Sequence, residues 1–340
     1  MTSGNQVSIF DGHNDLAYQL WRRGDTEASA FLNTDEDKLH ITCKQAKTGG
    51  LAAGLFALFV PQQGESLEAT AVIDQTYAFT VALQMVDTLQ ELANSHPDKF
   101  RLCTTAASID KAVDDGALAA LLHLEGAEPV GADLDRLAEF YQRGVRSVGP
   151  LWSRRNQFGF GVPFSFPGHP DQGPGLTDRG KALVQACDEM NILLDVSHLN
   201  EAGFWDIAKL SNYPLIASHS NAYALCPSPR NLTDKQLGAI AASGGLVGAC
   251  FATAYLRHDG QKNPDTDIEL IIRQLDYLIS KLGENHVGLG SDFDGAVLPY
   301  YLANCACLPR LIEAMHSYGF GADLIQKLCW QNWRRQMNRL

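Results

Sequence analysis

Short apolar runs recur along the chain, and most of them end in a polar burst. The first, Val7 to Phe10, is closed by Asp11-Gly12-His13-Asn14-Asp15. Others are Leu51 to Val60, Ala117 to Leu124, Val145 to Leu151, Ile192 to Val196, Pro214 to Ala217, Gly245 to Phe251 and His286 to Gly290. Runs that are apolar throughout, rather than alternating, belong to strands buried on both faces, the habit of parallel sheets. Between them the apolar spacing turns helical: 67–93, 134–143, 177–190 with Thr177 as N-cap, 201–210, 234–242 and 267–282, followed by a helical tail over 308–337. Residues 16–47 read as polar and irregular, and 158–175, rich in Gly, Pro and Phe, as a long functional loop that closes over a ligand. Eight strands alternating with helices over about 290 residues predict a (β/α)8 TIM barrel, with an open doubly wound sheet as the alternative. No internal break divides the pattern, so residues 1–340 are expected to form one barrel domain with a C-terminal helical tail.

Composition narrows the class. A net charge of −12 over 340 residues excludes a nucleic-acid-binding surface, and 45% hydrophobic residues supply a full core. The eight cysteines are scattered, without a Cys-x-x-Cys pair, and Cys187 and Cys250 sit in apolar patterns as core residues. No basic region followed by an apolar stretch opens the chain, and no run of about 18 apolar residues occurs. The expectation is a cytoplasmic protein with reduced thiols and no membrane contact.

The polar bursts carry the chemistry. His13 and Asp15 are two apart and can converge on one point. Glu125 closes the third run, His198 follows the fifth, His219 the sixth and Asp292 the eighth. Alone, each reads as a cap, turn or loop residue. Together, at the strand ends where a barrel builds its active site, they are the donors that hold zinc or a similar cation. Three histidines and three carboxylates can hold two such ions, with a carboxylate between them. His123, two before Glu125, faces the same way one layer deeper and reads as a core or supporting residue.

The segments DGHNDL, LLHLEG, DVSHL, SHSNAYALCPSPRN and GLGSDFDG, in this order over nearly the whole chain, resemble the membrane (renal) dipeptidase family, peptidase family M19, of the amidohydrolase superfamily. The resemblance implies a (β/α)8 barrel with two zinc ions, one on His13 and Asp15, one on His198 and His219, bridged by Glu125. It implies Asp292 as the acid/base and Arg230 as the grip on the substrate carboxylate, a task suited to a planar guanidinium. Asn221 and Tyr255 fall near substrate-lining positions, and a homodimer is the implied assembly.

Two positions depart from the pattern. Trp152 stands where well-studied members carry a histidine near the scissile carbonyl; an indole donates one N–H but takes no proton. Arg154 or Arg155 is a candidate replacement charge, and the expectation is an altered substrate range. Cys226 matches a cysteine that is disulfide-bonded in secreted relatives, but its expected partner position lies near His258. The resulting expectation is a binuclear zinc dipeptidase acting on small dipeptides, including those ending in a D-residue. Rivals are an N-acyl-amino-acid deacylase on the same metals, a metal-dependent phosphoesterase or lactonase, and a metal-binding homologue with altered or lost catalysis.

Overall fold

Eight parallel strands follow one another around a barrel in chain order. The computed structural model describes residues 7–33, 39–63 and 72–340. The strands are β1 (Ile9–Asn14), β2 (Leu51–Phe59), β3 (Leu118–Glu125), β4 (Val145–Gly149), β5 (Leu193–Leu194), β6 (Ile216–Ser220), β7 (Leu246–Cys250) and β8 (Val287–Gly290). Neighbours pair in sequence from β1 to β5 and from β6 to β8, and β8 returns to β1. The last seam, β5 to β6, carries one β-bridge, between Asp195 and Ile216, reinforced by bonds from Ser218 to the Asp195 carboxylate. The barrel expectation therefore stands, and the open sheet does not.

Register fixes what meets at the carboxyl ends. Ala53 to Phe59 of β2 pair with Ala119 to Glu125 of β3, which sets Phe59 beside Glu125. Glu125 in turn pairs with Gly149 of β4. Cys250 of β7 pairs with Gly290 of β8, so the following Asp292 emerges beside β7 and β1. Glycine is required where backbones crowd: a Cβ on Gly248 or Gly290 would lie 2.1 Å from the Ser218 carbonyl oxygen.

The opposite end of the barrel is plugged. Trp333 is fully buried, stacks on Phe10 at 5.5 Å and donates its indole N–H to the Leu289 carbonyl at 2.8 Å. It packs with Leu55, Leu121, Leu193, Ile216 and Met337 in the barrel interior. The tail is thus part of the core. It is not one helix: Leu308–Tyr318 stops at Gly319, whose φ of 108° only glycine adopts comfortably, and Ala322–Gln326, a π turn at Lys327–Gln331 and Asn332–Gln336 complete it.

Other differences have local causes. The 16–47 stretch holds helices at Leu16–Arg22, Ser29–Leu32 and Cys43–Gly49, the last opened by a capping box between Thr42 and Gln45. The helix expected over 67–93 runs Gln75–Ser95, capped by Asp74; residues 67–71 of that expectation lie outside the described residues. A short strand, Phe100–Leu102, pairs with β3 and is followed by a helix at Ala106–Asp114. The 158–175 loop contains Gly159–Phe160, which pairs with Arg155–Asn156, and is tied down by Val162 N–H to the His198 carbonyl and Gly168 N–H to the Pro227 carbonyl. The eight cysteines are free, and the buried Cys226 thiol lies 3.6 Å from the Ala254 carbonyl. Among the described residues no helix is long and apolar enough to cross a membrane.

Candidate active site

Glu125 is the centre of the site. As the last residue of β3 it projects into the barrel mouth, and three imidazoles converge on its Oε1. His198 Nε2 lies 3.0 Å away, and the Nε2 atoms of His13 and His219 lie 3.6 Å away. Asp15 Oδ2 is 3.4 Å from His13 Nε2, and the His198 and His219 Nε2 atoms are 3.0 Å apart. The structure brings together all five expected ligands, and it groups Asp292 with His13 and Asp15. His13 and His219 lie within strands β1 and β6 rather than after them, whereas His198 and Asp292 turn inward from positive φ, 67° and 63°.

The electrostatics leave positive charge wanting. Burial holds the pKa values of His198 and His219 well below the usual imidazole range, so both rings are neutral. Burial, followed by the carboxylates of Asp15 and Asp292, raises Glu125 well above its ordinary value. Burial raises Asp15 to about 7 and Asp292 to about 6. His13 is fully buried with neither ring nitrogen in a hydrogen bond, an arrangement that costs free energy unless something binds it. Divalent cations fit this donor set: they would take up the imidazole lone pairs and restore the carboxylates.

Supporting contacts aim the rings. The Asp195 carboxylate accepts from Ser197 N–H at 2.9 Å, Ser218 N–H at 2.8 Å and the Ser218 hydroxyl at 2.5 Å. The same hydroxyl oxygen lies 2.8 Å from His219 Nδ1. Because the carboxylate has only acceptors, the hydroxyl donates to it and accepts from Nδ1–H, which leaves a lone pair on Nε2 facing the site. Ser153 Oγ lies 2.7 Å from His198 Nδ1 and fixes the plane of that ring. His123, as expected, lies one layer deeper: Nδ1 is 3.0 Å from Ser147 Oγ and Nε2 3.4 Å from Asp195 Oδ2. Asp195, Ser218 and Ser153 are not apparent from spacing, although each is within three residues of a recognised ligand or of Trp152.

Arg230 is buried beside the candidate ligands. It donates to the His219 carbonyl at 3.0 Å, its guanidinium lies 5.3 Å from the Tyr255 ring centre, and its Nε is buried without a partner. Asn221 is turned elsewhere: its amide bonds both the carbonyl and the N–H of Cys250, tying β6 to β7. Trp152 is half-buried and stacks along His198 at 5.8 Å. Neither neighbouring arginine is a free replacement charge. Arg154 is buried against Glu128 at 2.6 Å, and Arg155 is exposed, over Phe160. Gly295 borders the carboxylates so closely that a Cβ there would lie 2.1 Å from Asp15 Oδ2 and 2.6 Å from Asp292 Oδ1.

Residues 4–340 match the membrane dipeptidase family, peptidase family M19. The chain belongs to that family. Membership makes it a metallo-dipeptidase, a metal-dependent hydrolase. A Rhodobacter sphaeroides metallo peptidase, solved with a phosphinate mimic of the dipeptide L-Ala-D-Ala, superimposes with a TM-score of 0.95 at 43% identity, covering 98% of this chain and 99% of that one. The dipeptidase AC of family M19 superimposes equally well, with a TM-score of 0.95 at 45% identity over 98% and 99% of the two chains. An uncharacterised protein in the pqqA 5′ region of Klebsiella pneumoniae is 47% identical over 257 residues, 76% of this chain and 95% of that protein.

Proposed function

We propose that this M19 enzyme is a binuclear zinc dipeptidase that cleaves the amide of small dipeptides, including those with a C-terminal D-residue. The observation that carries the reading is the convergence of three Nε2 atoms on Glu125 Oε1, with Asp15 and Asp292 at its edge. His13 and Asp15 would hold one ion, His198 and His219 the other, and Glu125 would bridge them. Zinc bound there supplies an activated water and polarises the scissile carbonyl.

The rest is the work of the chain. Arg230, with a buried unpartnered Nε, takes the C-terminal carboxylate and positions the peptide across the mouth. Asp292 is half-buried and groups with His13 and Asp15 at the edge of the cluster. It accepts the proton of the attacking water and returns it to the leaving amine, a role suited to a carboxyl raised toward neutrality. Tyr255 lines the site beside Arg230, and Trp152 lines it beside His198. The D-residue part of the reading draws on the phosphinate bound to the Rhodobacter relative. The reading also makes the protein a cytoplasmic homodimer of single barrel domains, and light scattering checks the dimer.

An N-acyl-amino-acid deacylase is the second reading, favoured by the apolar Trp152 in place of a polar residue. Both substrates end in a carboxylate, so Arg230 serves either. The test is amine release from L-L and L-D dipeptides and from N-acyl amino acids, with zinc-reconstituted and chelated protein. Chelator-sensitive cleavage of dipeptides is expected; cleavage of acyl amino acids alone overturns the proposal.

A further inference from the structure

The strand order sets the two ends of a bound substrate on opposite sides of the mouth. Strands β6 and β2 are four apart whichever way the barrel is traversed. Arg230, bonded to His219 and 3.5 Å from Ser220 Oγ at the end of β6, therefore lies across the opening from Phe59, the last residue of β2. Around Phe59 the structure builds an aromatic wall. Trp152 lies 5.0 Å from Phe59 and 5.0 Å from Phe164, ring centre to ring centre, and stacks along His198. Phe59 and Trp152 are half-buried and Phe164 is 47% exposed, so the wall is accessible from solvent.

The wall is braced from behind. The Arg154 guanidinium lies 4.9 Å from the Trp152 ring and 5.5 Å from the Phe59 ring. It is fixed by Glu128 at 2.6 Å and by the Val60 carbonyl at 2.9 Å. The Arg154 charge is already paired with Glu128, so the wall presents aromatic faces that suit a neutral apolar group.

We propose that Phe59, Trp152 and Phe164 receive the side chain of the amino-terminal residue and select neutral apolar side chains there, with Trp152 the main determinant. This rests on the dipeptidase reading and on Arg230 holding the other end. One methylene more or less in an apolar pocket is worth roughly 10- to 200-fold, which sets the scale expected here.

The experiment compares glycyl, alanyl, leucyl and lysyl dipeptides sharing one C-terminal residue, with zinc-loaded wild type, Trp152→Ala and Trp152→Phe. Wild type is expected to prefer the leucyl and alanyl substrates. Trp152→Ala should lose about tenfold more kcat/KM on the leucyl than on the glycyl dipeptide, mainly through KM, and Trp152→Phe should recover most of it. An equal loss on all four substrates would make Trp152 a support for His198 and overturn the proposal. If wild type cleaves acyl amino acids and no dipeptide, the dipeptidase reading fails. Acetyl and hexanoyl substrates then decide the wall by the same ratio: unequal loss supports it, equal loss overturns it.

Discussion

Asp195→Asn is expected to weaken zinc binding without touching a ligand. In the wild-type chain the Ser218 hydroxyl donates to Asp195 Oδ2 at 2.5 Å and accepts from His219 Nδ1–H at 2.8 Å, which leaves His219 Nε2 as a lone pair. Asparagine keeps one acceptor, which the Ser197 and Ser218 N–H groups at 2.9 and 2.8 Å already claim at Oδ1. Its amide nitrogen then faces the hydroxyl and donates to it. The hydroxyl no longer donates to residue 195 and is free to donate to Nδ1; in that tautomer the proton sits on Nε2 and an N–H points at the cation.

Losing an orienting partner of this kind costs roughly 10- to 100-fold in metal affinity, or about 1.4–2.8 kcal/mol. The assay is competition with a zinc chelator, with circular dichroism to verify the fold. Asp195→Ala would be a poor probe, because it strands two buried N–H groups and a hydroxyl and destabilises the barrel. Ser218→Ala, which deletes the relay and leaves the carboxylate, should weaken zinc by a similar factor. Wild-type affinity in both variants would refute the tautomer argument. A loss in Asp195→Asn with none in Ser218→Ala would place the effect at His123 instead, whose Nε2 is 3.4 Å from Asp195.

Three further outcomes are expected. Asp292→Asn should retain its zinc, read by metal content, while kcat falls about 10²- to 10⁴-fold; loss of an ion would make Asp292 a ligand. Arg230→Ala should raise KM for dipeptides by roughly 10- to 100-fold, the worth of hydrogen bonds to a charged group, and should change KM for dipeptide amides far less. Glu128→Leu leaves the buried Arg154 charge without its partner at 2.6 Å and should cost about 3–5 kcal/mol in denaturant unfolding, most of it recovered in Glu128→Leu/Arg154→Met.

What the sequence discloses follows from how local each signal is. The barrel strands are legible because each is an apolar run several residues long, and the candidate ligands because they stand at or just beyond the ends of those runs. The strand Phe100–Leu102 is three residues long with two of them half-buried, too short to show a period. The helix Leu16–Arg22 has no side-chain cap and is held by burying Leu16, Ala17 and Leu20. Contacts between distant segments leave no pattern. Glu128 and Arg154 are 26 residues apart, and Trp333 reaches the barrel floor from the last helix. Trp152 shows the boundary between the two cases. Its departure from the family histidine is visible in the sequence, whereas its companions Phe59 and Phe164 emerge only once β2 and the 158–175 loop are placed.

The backbone bears the cost of this site. Among the described residues six non-glycine residues have positive φ, and three of them, His198 at 67°, Asp292 at 63° and Asp294 at 67°, stand at or beside the site. Such a conformation costs of order 1–3 kcal/mol for a residue with a Cβ and persists where surrounding bonds over-determine it. Here they do. The His198 carbonyl accepts from Val162 N–H, Asp292 N–H donates to the His13 carbonyl, and Asp294 exchanges bonds with His40 through its N–H and carboxylate. The reversal just past the strand turns the side chain back over the barrel mouth. Glycine would relieve the strain and delete the chemistry. The same fact makes Asp292→Asn the decisive substitution: asparagine tolerates the left-handed region at least as well as aspartate does. It removes the acid without disturbing the turn, so a fall in turnover with zinc retained reports proton transfer and not backbone relaxation.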